Sequence, residues 1–499
     1  MNFSLRKFVR ARPNFFMHRR RVRMVEMMKR ITCIFLVFCL CLSLAGCGSG
    51  EEGQGEDIQG PEKVSEEELD RQAFQKAGEY LKQMTLSEKI GQMFLVDADK
   101  LVKGKETVTA VSPELLQTIG EYKIGGVVFG KRNIQSAEQI TSLIRDLNQS
   151  VAAGEELKIP LYIGTEEEGG GRNSIAAATD TITSTGYVSP AEMGKNMTEG
   201  QLENTGEVIA GELIDLGFNL NFAPTADLTG EEVPADRKAV SECAVSAIGE
   251  GPEYPNLNRK KIKKKKKKKL LKAYEKKLQE YNAKWNAFLN VWMEDDYNSS
   301  CFGEDEEQVG EAAAAMIKGM HAVGDRGICT VLKTFPGIAP VAKYHKLVNM
   351  KIDTGLSRLR RTDLSSFLTG IQAGTDFVMV GHVALSKVDQ DVPASLSETI
   401  MTGLLRNEMG FEGIIVTEQM DVPVITNAYS TEQAVVRAIR SGADMVYDPE
   451  DLQAAISSVQ QAVLDQKIEE EMIDQAVLRI LQNKIRRGIW DPPAADDGE

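Results

Sequence analysis

Leu161-Tyr162-Ile163-Gly164 runs without a break into Thr165-Glu166-Glu167-Glu168-Gly169-Gly170-Gly171-Arg172. A short apolar run ends on three carboxylates, and the glycines that follow let backbone approach a ligand closely. The layout recurs down the chain. Apolar runs at 125–129, 161–164, 219–222, 329–332, 377–380, 413–416 and 445–446 alternate with helical patterns at 137–152, 206–216, 307–321, 399–408 and 432–441. Such alternation predicts an α/β fold with a parallel sheet, and strands that read as continuous apolar runs suit a barrel covered on its outer face. Residues 450–487, with Leu452, Ile456, Val459 and Val463 at helical spacing, read as closing helices. In a barrel the chemistry lies just past each strand's carboxyl end.

Those positions carry one kind of side chain. After 219 comes Asn221-Phe222-Ala223-Pro224-Thr225-Ala226-Asp227, and after 329 comes Lys333-Thr334-Phe335-Pro336-Gly337, with Lys343 and His345 a few residues on. Gly381-His382 follows 377–380, and Thr417-Glu418-Gln419-Met420-Asp421 follows 413–416. Carboxylates, a lysine and two histidines around one mouth suit polyol recognition and acid/base work. Lys333, beside Pro336-Gly337, reads as a substrate contact. Asp227 and Asp444 read equally as braces for loops and helices, and His382 equally as a packing histidine or a ligand. Neither His18 nor His321 is given a role.

The charge divides the chain. Of 59 Lys+Arg against 73 Asp+Glu, ten basic residues fall in 1–46 and thirteen in 259–277, so the remainder is strongly acidic. Positive charge spread over a working face is missing, which argues against a nucleic-acid binder. With 42% hydrophobic residues, general disorder is excluded too.

Met27-Met28-Lys29-Arg30 precedes about sixteen uncharged residues, 31–46, which are too short and one-sided for an ordinary membrane-spanning helix. Leu44-Ala45-Gly46-Cys47 then resembles the lipobox of a bacterial lipoprotein signal. The resemblance implies removal of 1–46, lipidation of Cys47, and a membrane partner through that anchor, with the protein on the extracellular face of the cell membrane. Residues 47–73, rich in Gly and Glu, read as a flexible linker, 74–490 as the barrel and 491–499 as a tail. Outside the leader and Cys47 only Cys243, Cys301 and Cys329 remain, an odd number without metal-ligand spacing.

Residues 236–298 break the alternation. After the lysine run, Leu271, Tyr274, Leu278, Tyr281, Trp285, Phe288 and Trp292 fall at steps of three and four, an a/d seam. The stretch reads as a basic amphipathic helix inserted in a barrel loop, either an arm that lies on an anionic envelope or pairs with a partner, or a solvated insertion without a role.

Taken together, Lys89-Ile90-Gly91-Gln92-Met93, 124–129, 209–227, Phe302-Gly303-Glu304-Asp305, 333–337, 374–383, Pro393-Ala394-Ser395-Leu396-Ser397, 410–417 and Gly442-Ala443-Asp444-Met445 resemble glycoside hydrolase family 3, in its single-barrel β-N-acetylhexosaminidase branch. The resemblance covers about 75–490 apart from the insertion. It implies a (β/α)8 TIM-type barrel that removes terminal β-linked N-acetylglucosamine from a glycan partner by a retaining mechanism, with no metal and no cofactor. It also implies a carboxylate nucleophile after a late strand, at Glu418, and an acid/base on a loop, at His345. Glu166, Lys333, Asp227, His382 and Arg172 would contact substrate.

Several of these positions depart from the family pattern. The nucleophile is Asp in the family, and Glu418 carries an extra methylene that displaces its carboxylate by roughly an ångström, a shift that can cost on the order of 10²-fold. Glu166 also replaces Asp. In Lys333-Thr334-Phe335-Pro336-Gly337-Ile338-Ala339 the lysine is kept and two histidines are lost. Ser300 stands for Arg, and the Asp of the acid/base dyad becomes Lys343, which cannot orient His345 as a carboxylate would. Two expectations follow: a hydrolase of weakened or altered activity, or a non-catalytic sugar-binding lipoprotein.

Overall fold

The computed structural model describes residues 65–492 except 155–158, 171, 176–187, 232–233, 258–261 and 294–296. The expected signal segment and Cys47 lie outside these residues, as do most of the linker and most of the tail.

Eight parallel strands form the sheet: β1 (Phe94–Asp97), β2 (Gly126–Val128), β3 (Tyr162–Thr165), β4 (Leu220–Asn221), β5 (Cys329–Phe335), β6 (Phe377–Val380), β7 (Ile414–Thr417) and β8 (Val446–Tyr447). Each pairs with its neighbour in sequence from β1 to β7, and β8 pairs with β1 through Phe94↔Val446 and Leu95↔Tyr447. A single parallel bridge, Val416↔Met445, joins β7 to the start of β8 and closes the ring. The strands are short and almost wholly buried, as expected for a sheet filled by its own side chains inside and covered by helices outside.

The expected strands are all present within a residue or two at their ends, β5 running three residues further. One was missed. Residues 93–94 read as core filler, yet Phe94–Asp97 is the first barrel strand, and the capping box of Thr85 and Glu88 starts the helix Leu86–Gln92 directly before it. The helix expected at 399–408 is present, wound as a π-helix.

The connection from β4 to β5 holds two inserted helices where one was expected, Arg237–Ile248 and Lys264–Trp292. None of the residues of Lys264–Trp292 is fully buried, so its aromatic seam is half-covered and forms no core. The barrel's own helix, Glu306–Ala322, follows, capped by Asp305 accepting from the amides of Glu307 and Gln308. Among the described residues no helix is long and apolar enough to cross a membrane.

At the amino end of the barrel the last helix, Glu470–Arg486, sends Lys484 inward. Its fully buried ammonium donates to Gln92 Oε1 (2.9 Å), the Gly125 carbonyl (2.9 Å) and the Pro160 carbonyl (2.7 Å), which lead into β1, β2 and β3. Burial pulls the Lys484 pKa down to about 7. Beside it Arg487 and His321 hold Asp376, so His321 belongs to the barrel's base.

Candidate active site

Glu418 leaves β7 at the mouth of the barrel. Its amide donates to the Val380 carbonyl of β6 (2.9 Å), which fixes where its side chain begins. Oε1 lies 2.8 Å from His345 Nε2 and 3.7 Å from Lys346 Nζ, while Oε2 is buried without a hydrogen-bond partner. Burial opposes the charge of Glu418, but His345, then Lys346 and His382, outweigh it and hold the carboxyl well below the usual carboxylate range. Gly381 of the next loop passes close by. A Cβ there would stand 3.4 Å from Glu418 Oε2 and 2.6 Å from Thr334 Cγ2, so this position needs the missing side chain.

His345 follows the 3₁₀ turn Ala339–Tyr344 and is almost fully buried. Its Nδ1 faces the Ala342 carbonyl and its Nε2 faces Glu418. Both partners are acceptors, an arrangement that suits a ring donating from each nitrogen. The orienting group that Lys343 could not supply is therefore a backbone carbonyl, which no residue pattern announces. Lys343 itself lies 5.8 Å from the Tyr344 ring centroid.

A second cluster joins β3 to β5. Lys333, on β5, is ion-paired to Glu166 and lies 3.5 Å from Glu168 Oε2, and Thr225 donates to Glu168 Oε1 (2.8 Å). Asn221 both accepts from the Glu167 amide and donates to its carbonyl, at 2.9 Å each, extending the β3–β4 pairing by a side chain. Of the three consecutive carboxylates, Glu166 is the exposed one, at 37% of its side chain. Arg172 lies in a two-residue strand whose backbone pairs with Gly169; its side chain is outside the description.

Sequence reasoning missed a third cluster, because it missed β1. Past that strand Lys100 Nζ bridges Asp421 (2.5 Å) and Asp448 (3.0 Å), and Arg132, after β2, pairs with Asp97 and Asp99. Asp448 also accepts from Gln419 Nε2 (2.9 Å) and the Asp97 amide, tying the residue after Glu418 to β8 and β1. Burial, opposed by Lys100, raises the Asp448 carboxyl to about 6.

Two residues expected to contact substrate are enclosed by protein groups. Asp227 is fully buried, and the Tyr297 hydroxyl donates to its Oδ2 at 2.5 Å, with Thr334 Oγ1 3.1 Å from that hydroxyl. Burial lifts the Asp227 pKa to about 7 even though Tyr297 favours the charged form. It braces the Lys333 loop against the end of the insertion. His382 is likewise enclosed, with Nδ1 at Ser395 Oγ (2.7 Å) and Nε2 at the Gln419 carbonyl (2.8 Å), so it steadies the loop that carries Glu418. Asp444 is a brace as well, held by Arg406, Arg479 and the Ile415 amide. No group of three or more His, Cys, Asp or Glu among the described residues could hold a metal ion.

Residues 85–242 and 264–483 match the sequence profile described as the Glycosyl hydrolase family 3 N terminal domain, most of the chain. This protein belongs to glycosyl hydrolase family 3. The break in the match, 243–263, takes in the second half of the helix Arg237–Ile248 and the segment leading to Lys264–Trp292. Among relatives, the "Beta-hexosaminidase A" of Pseudoalteromonas piscicida is 23% identical over 432 residues, 81% of this chain and 61% of that protein. Among solved structures, a family 3 beta-N-acetylglucosaminidase from a Paenibacillus species superposes with a TM-score of 0.62 at 23% identity, covering 83% of this chain and 65% of that one. A Beta-N-acetylhexosaminidase from Beutenbergia cavernae superposes with a TM-score of 0.59 at 24% identity, covering 80% and 98%. The chain thus spans less than two thirds of the Pseudoalteromonas and Paenibacillus proteins, and the structural likenesses establish the shared fold.

Proposed function

We propose that this family 3 barrel hydrolyses terminal β-linked N-acetylglucosamine with retention, Glu418 acting as nucleophile and His345 as acid/base. The observation that carries the reading is the pair itself, a carboxyl at the end of β7 held well below its usual range and 2.8 Å from an imidazole. A carboxylate nucleophile beside a ring able to donate a proton is what the first step needs. Glu418 attacks the anomeric carbon, the glycosidic C–O bond breaks, and the leaving oxygen takes the His345 proton. Water then attacks the glycosyl ester, returning a proton to His345 and freeing Glu418. Glu166 and Lys333 supply the ionic and hydrogen-bonding groups expected to hold sugar hydroxyls.

A second reading, a sugar-holding barrel without turnover, is favoured by the same contact. Acid/base and nucleophile in retaining glycosidases stand about 5–5.5 Å apart, whereas His345 and Glu418 touch at 2.8 Å with both buried. Turnover therefore requires the turn Ala339–Tyr344 to withdraw His345. The experiment is release of chromophore from an aryl β-N-acetylglucosaminide, with an active family member as positive control. Wild-type protein should exceed Glu418→Gln and His345→Ala by at least about tenfold, from the 10²–10⁴-fold scale of acid/base catalysis. Equal rates, with sugar binding measured by calorimetry, would establish the second reading.

The lipid anchor at Cys47 and the outward-facing membrane location are proposed on the lipobox alone. Mass spectrometry of the mature amino-terminal peptide tests them: a diacylglyceryl cysteine is expected, and an intact Met1 or Met27 start would refute it.

A further inference from the structure

The consecutive lysines 264–269 ring the first turns of the helix Lys264–Trp292, and five of its lysines continue as a row: Lys265, Lys268, Lys269, Lys272 and Lys276 recur at i, i+3, i+4, i+7 and i+11, one stripe about 16 Å long. At roughly 100° per residue the aromatic seam lies on the opposite side of the same helix. That seam is engaged by the protein. Tyr274 meets Tyr254 edge-on with ring centroids 5.2 Å apart, the Tyr281 ring lies against Gly251, and Trp292 packs on the barrel core. The stripe therefore points away from the protein, and all five of its lysines are exposed.

These charges have almost no internal partners. Lys276 makes a 3.7 Å contact with Glu280, itself exposed, and none of Lys263 to Lys269 has a carboxylate within ion-pair distance among the described residues. Like charges three and four residues apart repel along a helix. A row of unpaired lysines, held outward by a seam that is already committed, fits a flat anionic surface.

We propose that this helix is a peripheral membrane-contact element that lies on an anionic lipid bilayer through its lysine stripe. Because the lysine stripe lies on the side of the helix opposite its aromatic seam, attachment is electrostatic, without insertion of aromatic side chains, and it is independent of any lipid on Cys47. Polybasic segments gain about fivefold in partitioning per lysine near such a surface. The attraction decays within a Debye length, about 8 Å at 0.15 M salt and 3 Å at 1 M.

The test is co-sedimentation of the full-length chain with vesicles of phosphatidylglycerol and phosphatidylcholine, against vesicles of phosphatidylcholine alone. The anionic vesicles should bind more protein, and the excess should vanish at 1 M salt. Lys265→Gln/Lys268→Gln/Lys272→Gln should lower the excess about 10²-fold, with helicity by circular dichroism unchanged. Lys264→Gln/Lys267→Gln/Lys277→Gln removes equal charge from other faces of the helix and should lower it much less. Equal binding to both vesicle types, or equal loss in the two triple variants, overturns the proposal. So does tighter binding of a DNA duplex or of a second copy of the chain at the same salt. None of these readouts depends on glycosidase activity.

Discussion

At the scale of single residues, the site is decided by how Glu418 reaches. The extra methylene relative to an aspartate is what lets its carboxylate touch His345 at 2.8 Å. Glu418→Asp should draw the carboxylate back, break that contact and leave room for a sugar between the two groups. If the chain is a slowed hydrolase, kcat on an aryl β-N-acetylglucosaminide should rise by on the order of 10²-fold, the cost estimated for a one-ångström misplacement. A flat result would mean that the loss of the Asp at 343 and the Arg at 300 is what limits the site. Sequence reading picked Glu418, Glu166 and Lys333 because each follows an apolar run, and His345 through the family resemblance. It could not see Ala342, whose contribution is a carbonyl, or Lys346, one position beyond a residue already chosen.

At the scale of elements, the short 3₁₀ turn Tyr297–Ser300 is where insertion and barrel meet, and Asp227 is the joint. A carboxyl whose folded pKa is raised to about 7 holds a proton that the unfolded chain, near 3.8, has already lost. Between those values the folded state binds more protons, so this group's contribution to stability falls as pH rises from about 4 to 7. Asp227→Asn keeps the shape and removes the titration. The variant's unfolding free energy should decline less than wild type's across that range, by a difference on the order of a few kcal/mol at 1.36 kcal/mol per pKa unit, read by chemical denaturation. A parallel decline in both proteins would show that Asp227 stays ionised. Sequence reading had weighed Asp227 as either brace or ligand. The partner that favours the brace is Tyr297, which arrives from 70 residues further along the chain and leaves no periodic trace. The long helix of the insertion was legible from its spacing, and the shorter Arg237–Ile248 before it was not; the seam of the long helix stays half-exposed.

At the scale of the whole molecule, the barrel is fastened below by one buried cation. Lys484 donates to three acceptors that lead into β1, β2 and β3, and without it the buried Gln92 Oε1 loses this donor. Lys484→Met should lower unfolding free energy by roughly 3 kcal/mol, read by chemical denaturation, since breaking buried charged networks costs about that much. A loss below about 0.5 kcal/mol would mean that water replaces the ammonium. The parallel barrel itself was legible, since seven of its eight strands fall on the short runs that alternate with helical patterns along the chain. The exception, β1, was hidden because Met93-Phe94-Leu95-Val96 follows a helix without a turn signal and ends on Asp97.

The insertion divides the ring four strands from four. Before it, β1 to β4 offer open edges at β1 and β4; after it, β5 to β8 offer open edges at β5 and β8. The ladders that join the halves, Leu220↔Cys329 with Asn221↔Thr330 and Phe94↔Val446 with Leu95↔Tyr447, do not pass through the connecting chain. A nick between the two inserted helices would therefore release neither half. Each four-strand piece finds its unpaired edges answered by the other, and the barrel is in this sense two complementary halves that happen to share one polypeptide.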